Sequence, residues 1–227
     1  MTVSRARRDP WALGGVLFAA FFILGDVLRG ILANGPLPLP GAPATEVARY
    51  FTESQTAVLA VALCQVLSAL SLFVFVAPVA AFVRRKVGER GALTALTSGG
   101  GVLSAILLLA SALLSLVLAL TVGGLGLGFV DTLRQANFLT GGTFHVASLG
   151  VYVGSASIAG LRAKTLPRWM CWLGLIQATL AILSLVSLIF FPAALLILLG
   201  RLLGFVWCIA AGTVLALRGQ RGPVAGG

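Results

Sequence analysis

Six long apolar runs govern what this chain can fold into. They cover roughly Trp11–Ala33, Thr56–Val83, Leu93–Leu120, Asn137–Leu161, Met170–Phe191 and Ala193–Leu217. Each is about 20 residues or longer, enough to cross about 30 Å of hydrocarbon at a helical rise of about 1.5 Å. Only 10% of the residues are charged, 59% are hydrophobic and the mean hydropathy is +1.07. A soluble domain carries about a quarter charged residues, so this chain lacks the polar side chains to clothe a water-facing surface. In lipid, a helix satisfies its own backbone and leaves no sheet edge open. The expectation is an all-α, polytopic transmembrane bundle of six spans in a single domain over 11–217, with a short N-terminal segment at 1–10 and a tail at 218–227. Pro192 cannot continue a helical ladder, so the last two runs read as a hairpin.

Basic residues orient the bundle. Arg5, Arg7 and Arg8 precede the first run, and Arg84, Arg85, Lys86 and Arg90 join the second to the third. Arg162, Lys164 and Arg168 join the fourth to the fifth, and Arg218 and Arg221 lie in the tail. With six spans these twelve share one side, and the other side's loops hold only Arg49 and Arg134. Positive charge is retained on the cytoplasmic face, which places both termini there. Trp11, Arg168, Trp169 and Trp172 fall at span ends on the same side, where amphipathic rings and basic heads anchor in the headgroups. The basic start resembles a secretory signal, but its apolar run is too long, so an uncleaved first span is expected.

The same accounting explains the net charge of +10. It sits in short connections between spans, so no nucleic-acid interface is expected. Cys64, Cys171 and Cys208 all fall in apolar runs without ligand spacing and read as small hydrophobes.

The connections differ in kind. Asn34 to Pro43 is rich in proline and glycine and reads as an irregular loop. From Thr45 to Gln55, Val47, Tyr50 and Phe51 oppose Glu46, Arg49 and Glu53, which predicts a short amphipathic helix at the outer interface. The glycine-rich stretch Gly123–Phe129 reads as a loop or a frayed span end. Pro78 predicts a kink in the second span.

Helices in lipid associate through close packing and hydrogen bonds rather than apolar burial. Gly200, Gly204, Cys208 and Gly212 line the sixth span at a spacing of four, and Gly150 and Gly154 repeat that spacing on the fourth. Gly99–Gly101 with Ser104, Ser111 and Ser115 form a small-residue face on the third. Internal packing is the expected use of these stripes, with a homo-oligomer or another membrane protein as the alternative partner.

Ionisable groups inside spans are costly and mark candidate sites. Asp26, Arg29, His145 and Arg201 fall in this class. Asp26, Arg201 and His145 each lie about 10–12 Å from the outer end of their spans, with Gln65 at a similar depth; Arg29 is shallower and can snorkel. On the fourth span Gly141, His145, Ser148, Tyr152 and Ser155 recur on one face, which points His145 inward. Asp26 and Arg29 can pair at i, i+3, yet Arg201 also needs an acid, and Asp26 is the only one within a run. The expectation is a hydrogen-bonded cluster of Asp26, His145 and Arg201 with Gln65 nearby. It has two readings: an ion pair that fixes the packing of spans one, four and six, or a solute or proton site open to the outside.

Enzyme chemistry has little to build on. One histidine cannot supply bis-histidine haem ligation or a His-rich zinc site, and a lone carboxylate within the spans cannot form an aspartyl dyad. H-E-x-x-H, G-x-S-x-G and the phosphate-loop pattern are absent. No metal, cofactor or enzymatic activity is expected, although a Ser–His pair using His145 is conceivable.

Two elements carry a family likeness. Leu166-Pro167-Arg168-Trp169-Met170-Cys171-Trp172-Leu173-Gly174 resembles a Leu-Pro-Arg-Trp-x-x-Trp-Leu-Gly element of uncharacterised actinobacterial six-helix membrane proteins, a domain-of-unknown-function family. Glu46-Val47-Ala48-Arg49-Tyr50-Phe51 resembles the Glu-Val-x-x-Tyr-Tyr element of similar proteins. The resemblance implies the architecture and a multi-pass place in a bacterial plasma membrane, and it implies no catalytic residue. The expected role is a non-enzymatic accessory or scaffold bundle, the alternatives being a small-solute or ion transporter and, behind it, a membrane enzyme.

Overall fold

The computed structural model describes residues 9–39, 41–88 and 91–218. Arg5, Arg7, Arg8, Arg90 and Arg221 of the charge count lie outside them. Among the described residues the chain is helical apart from short connections and the α1–α2 loop, and contains no strand. A 3-10 turn at Pro10–Leu13, with the Asp9 side chain accepting from the Trp11 amide, leads into α1 (Gly14–Leu32). The short α2 (Ala44–Glu53) precedes α3 (Gln55–Val87) and α4 (Ala92–Thr121). Then come α5 (Leu127–Phe138), a π-helical segment at Leu139–Phe144 and α6 (His145–Arg162). Finally α7 (Arg168–Leu183) and α8 (Ala194–Arg218) form the last pair, separated by 3-10 turns around Phe190.

Six helices are long and apolar enough to cross a membrane: Pro10–Leu32, Gln55–Val87, Ala92–Gly124, Leu127–Arg162, Arg168–Leu188 and Ala194–Leu217. They close into a ring in the order α1, α3, α4, α6, α7, α8 and back to α1. The fourth span is the hub, its apolar window 78% buried against 33–50% for the other five. Leu63, Phe73, Ile106, Leu120, Ile176 and Leu202 point out of the bundle. A surface so apolar suits hydrocarbon, which is why the chain needs so few charges.

The described chain ends meet at one end of the bundle, where Gly212 of α8 lies against the Ala12 carbonyl. That terminal end also carries Arg84, Arg85 and Lys86 in the last turn of α3 and Arg162 in the last turn of α6. Trp11, Trp169 and Trp172 are exposed there. The opposite end is covered by α2, whose Val47, Tyr50 and Phe51 are buried on the apolar side read from their spacing. Pro78 lies inside α3, preceding the basic last turn.

Glycine sets the helix separations. A Cβ on Gly150 would sit 2.6 Å from the Ala181 Cβ and one on Gly154 2.8 Å from the Ala178 Cβ, so α6 and α7 touch nearly backbone to backbone. Gly200 and Gly204 accept Val146 and Leu149 of α6 in the same way. The small-residue stripes are thus consumed inside the chain, with Gly100 and Gly101 of α4 against Tyr152.

The fourth span departs from its hydropathy. It begins at Leu127 rather than near Asn137, and Gly126 marks its start. Arg134, expected in a loop, is instead a buried helical residue. Its helix turn is charged and would be unstable against lipid, but it packs against α2 and α4, where protein supplies the partners.

Candidate functional site

A cavity of about 270 Å³ opens at the α2 end. Leu37, Pro38 and Leu39 of the α1–α2 loop and Tyr50 and Phe51 of α2 cover it. Its polar lining comes from Arg29 of α1, Gln65 of α3, Ser111 and Ser115 of α4, Arg134 and Asn137 of α5, and Arg201 of α8. Three arginines from three spans therefore face one space.

Local structure explains how two of them are held. Arg134 Nη2 donates to the Pro38 carbonyl at 2.8 Å, which ties the covering loop to α5. Arg201 Nη2 donates to the Gly141 carbonyl at 2.6 Å, and its guanidinium lies 4.8 Å over the Phe22 ring. Gly141 belongs to the π-helical segment, whose bonds run i to i+5 and break the ordinary pairing of amides and carbonyls. Only glycine fits there, because a Cβ would strike the Ser111 side chain. Asn137 completes this wall, donating to the Ser111 carbonyl and to Ser115 Oγ, each at 2.7 Å.

Several polar atoms of the lining are left over. The Nε atoms of Arg134 and Arg201 and the Oε1 atom of Gln65 are buried without a hydrogen-bond partner. Tyr50 supplies no negative charge. Burial pushes its phenol above the ordinary range, and the nearby charges of Arg29 and Arg134 pull back less strongly, so it stays neutral.

The expected cluster of Asp26, Gln65, His145 and Arg201 does not form as one unit. Asp26 is half-exposed and bonds Arg29, one turn away on α1. No ion pair joins it to Arg201. Gln65 and Arg201 do line one cavity, while Asp26 and His145 are not part of its lining. His145 lies deeper: its ring meets Phe18 edge-on at 6.2 Å, one helical turn along α1 from the Phe22 that carries Arg201. The early start of the fourth span causes the difference, because depth counted from Asn137 places His145 too near the α2 end.

His145 is fully buried, with Nδ1 2.9 Å from both Ser104 Oγ and the Ser104 carbonyl. The Ser104 hydroxyl lies 3.1 Å from the His145 carbonyl, to which it donates. The tautomer that satisfies this pair carries its proton on Nδ1 and gives it to the Ser104 carbonyl, so the ring does not act as a base toward that hydroxyl. A catalytic pair needs an approaching substrate, and both residues are sealed from the cavity. The contact locks α4 to α6.

Arg134 and Asn137 are the residues that sequence reasoning missed. Their signal was present, since the inward face read as Gly141, His145 and Ser148 extends backward by four and seven residues to Asn137 and Arg134.

A ring of six membrane-length helices with an arginine-lined cavity at one end is the class of protein that this fold and site define. No family model, curated protein or solved structure matches the chain.

Proposed function

We propose that this is a non-enzymatic multi-pass protein of a bacterial plasma membrane that binds a small solute entering from outside. The observation that carries the reading is the cavity itself: about 270 Å³, lined by buried, partnerless polar groups of Gln65, Arg134 and Arg201. Convergent polar groups in a concave space are the usual mark of a ligand site. The basic residues at the terminal end support an orientation with both termini in the cytoplasm, which turns the cavity outward. The likeness of Leu166–Gly174 to bacterial six-helix proteins supports the same membrane. The accessory or scaffold role draws on the dense packing of the other end, but it leaves the cavity without a use.

Accessibility tests the reading. In intact cells, Gln65→Cys is expected to react with a membrane-impermeant thiol reagent, although it lies about 15 Å along α3 from the α2 end. Thr45→Cys should react as well and Lys86→Cys should not. The native cysteines are buried and provide a silent background. An unreactive Gln65→Cys overturns the cavity reading, and a reactive Lys86→Cys with an unreactive Thr45→Cys overturns the orientation.

A further inference from the structure

The cavity contains more positive charge than the protein balances. Among the described residues the only ion pair joins Arg29 to Asp26. That pair is neutral as a unit, and Asp26 does not line the cavity. Arg134 and Arg201 have no carboxylate within ion-pair distance and lean instead on the Pro38 and Gly141 carbonyls. Arg134 is 8% exposed, and each of the two keeps a buried Nε without a partner. Guanidinium groups stay charged at any physiological pH, and an uncompensated charge away from water is strongly unfavourable. An opposite charge entering the cavity relieves that cost.

We infer that the cavity binds an anionic group, a phosphate or a carboxylate, held by Arg134 and Arg201. This rests on the solute-binding reading above and names the ligand's chemical class. The guanidinium fork suits both groups, since its parallel N–H donors match two oxygens at once. Gln65 and the Ser115 hydroxyl add groups that accept or donate without adding charge. The volume lies just under the roughly 300 Å³ at which pockets for drug-sized ligands begin. The bound part is therefore small: a compact organic anion, inorganic phosphate, or the phosphate of a lipid headgroup.

Two measurements on full-length Gln65→Cys protein test this. In the first, impermeant thiosulfonate reagents carrying a sulfonate or a trimethylammonium group are compared, each rate normalised to a free thiol. The sulfonate reagent is expected to react about tenfold faster, the effect of unscreened positive charge in a poorly solvated space. Arg134→Gln and Arg201→Gln should each reduce that preference severalfold, while Arg84→Gln at the other end should leave it unchanged. If neither reagent reacts, the cavity reading has failed. If both react but the cationic one is equal or faster, the cavity stands and the anion inference is overturned.

The second measurement identifies the source of the anion, with the protein in phosphatidylcholine nanodiscs. Slower modification on adding inorganic phosphate or succinate, relative to chloride of equal ionic strength, assigns a soluble anion. Slower modification only when phosphatidylglycerol replaces part of the phosphatidylcholine assigns a lipid headgroup. Protection by none of the three overturns the inference.

Discussion

The two ends of this bundle use the same six helices in opposite ways. Toward the terminal end, helices meet through small residues: Gly15 lies against the Cys208 carbonyl, Gly212 against the Ala12 carbonyl and Gly174 against Trp207. Tyr152 fills the remaining space between Phe75 and Trp207, both edge-on. Toward the α2 end, helices are held apart by side chains that reach across to backbone. Gln55 donates to the Ala119 carbonyl, Asn34 to the Glu53 carbonyl, Arg134 to Pro38 and Arg201 to Gly141. Close approach leaves mainly apolar surface at that end, including a groove of about 400 Å³ between α1 and α3 lined by Pro10, Trp11, Leu17, Phe21, Leu67 and Leu70, which offers few polar groups to hold a ligand. Polar struts leave gaps that a ligand can enter. The contrast teaches that the closed end supplies rigidity, which frees the other end to remain open.

The sharpest way to break this contrast is to add bulk at each end. Gly212→Leu places a side chain where the Ala12 carbonyl already sits, and overpacking of this kind costs about 3 kcal/mol or more when neither backbone can retreat. Gly142→Ala, in the cavity lining at the α2 end, meets Phe138 and Ile197 only at ordinary contact distance. Thermal unfolding in detergent should show a large loss for the first and none for the second. Equal losses would remove the distinction between the ends.

His145 marks the border between them, and His145→Ala should cost about 2 kcal/mol through the lost ring volume and the lost hydrogen bonding to Ser104. The same variant should leave anion protection of Gln65→Cys intact, because His145 is not part of the cavity lining. If protection is lost while the fold survives, the ring belongs to the site.

Much of this was legible in the sequence, and the failures share a cause. The six spans follow from run length, α2 from the spacing of Val47, Tyr50 and Phe51, and the hairpin at Pro192 from the missing amide. Hydropathy measures preference for lipid, however, and α5 meets protein. Asp131, Arg134 and Gln135 disqualify that turn as lipid-facing, so hydropathy starts the fourth span ten residues late, at Asn137 instead of Leu127, and places His145 too near the α2 end. The pairing of Asp26 differs from its expectation for a related reason. A guanidinium within a span does not require an acid: a carbonyl of the π-helical segment serves Arg201, and Asp26 stays with Arg29 on its own helix. Periodicity does not announce such a segment.

Arg134→Met probes a strut at smaller amplitude. It removes a charge-assisted bond to Pro38 but also removes a buried, unbalanced charge, and the two oppose each other to a net loss of about 1 kcal/mol. The informative readout is local: amide hydrogen exchange in residues 33–39 should quicken, with the contacts around Tyr152 unchanged. Unchanged exchange in that loop would show that Arg134 does not pin it.

The smallest effect should come from Asp26→Asn, and its smallness is what gives it force. The carboxylate is half-exposed and bonds Arg29 on its own helix, a geometry worth less than about 0.5 kcal/mol. Were Asp26 instead the buried counter-ion of Arg201, removing it would strand a charge and cost about 3–5 kcal/mol. Thermal unfolding of Asp26→Asn therefore separates two accounts of the open end by roughly an order of magnitude. A small loss, together with anion protection of Gln65→Cys that persists in this background, leaves Arg201 balanced by the ligand and not by the protein. A large loss returns the acid to Arg201 and closes the charge gap on which the anion inference depends.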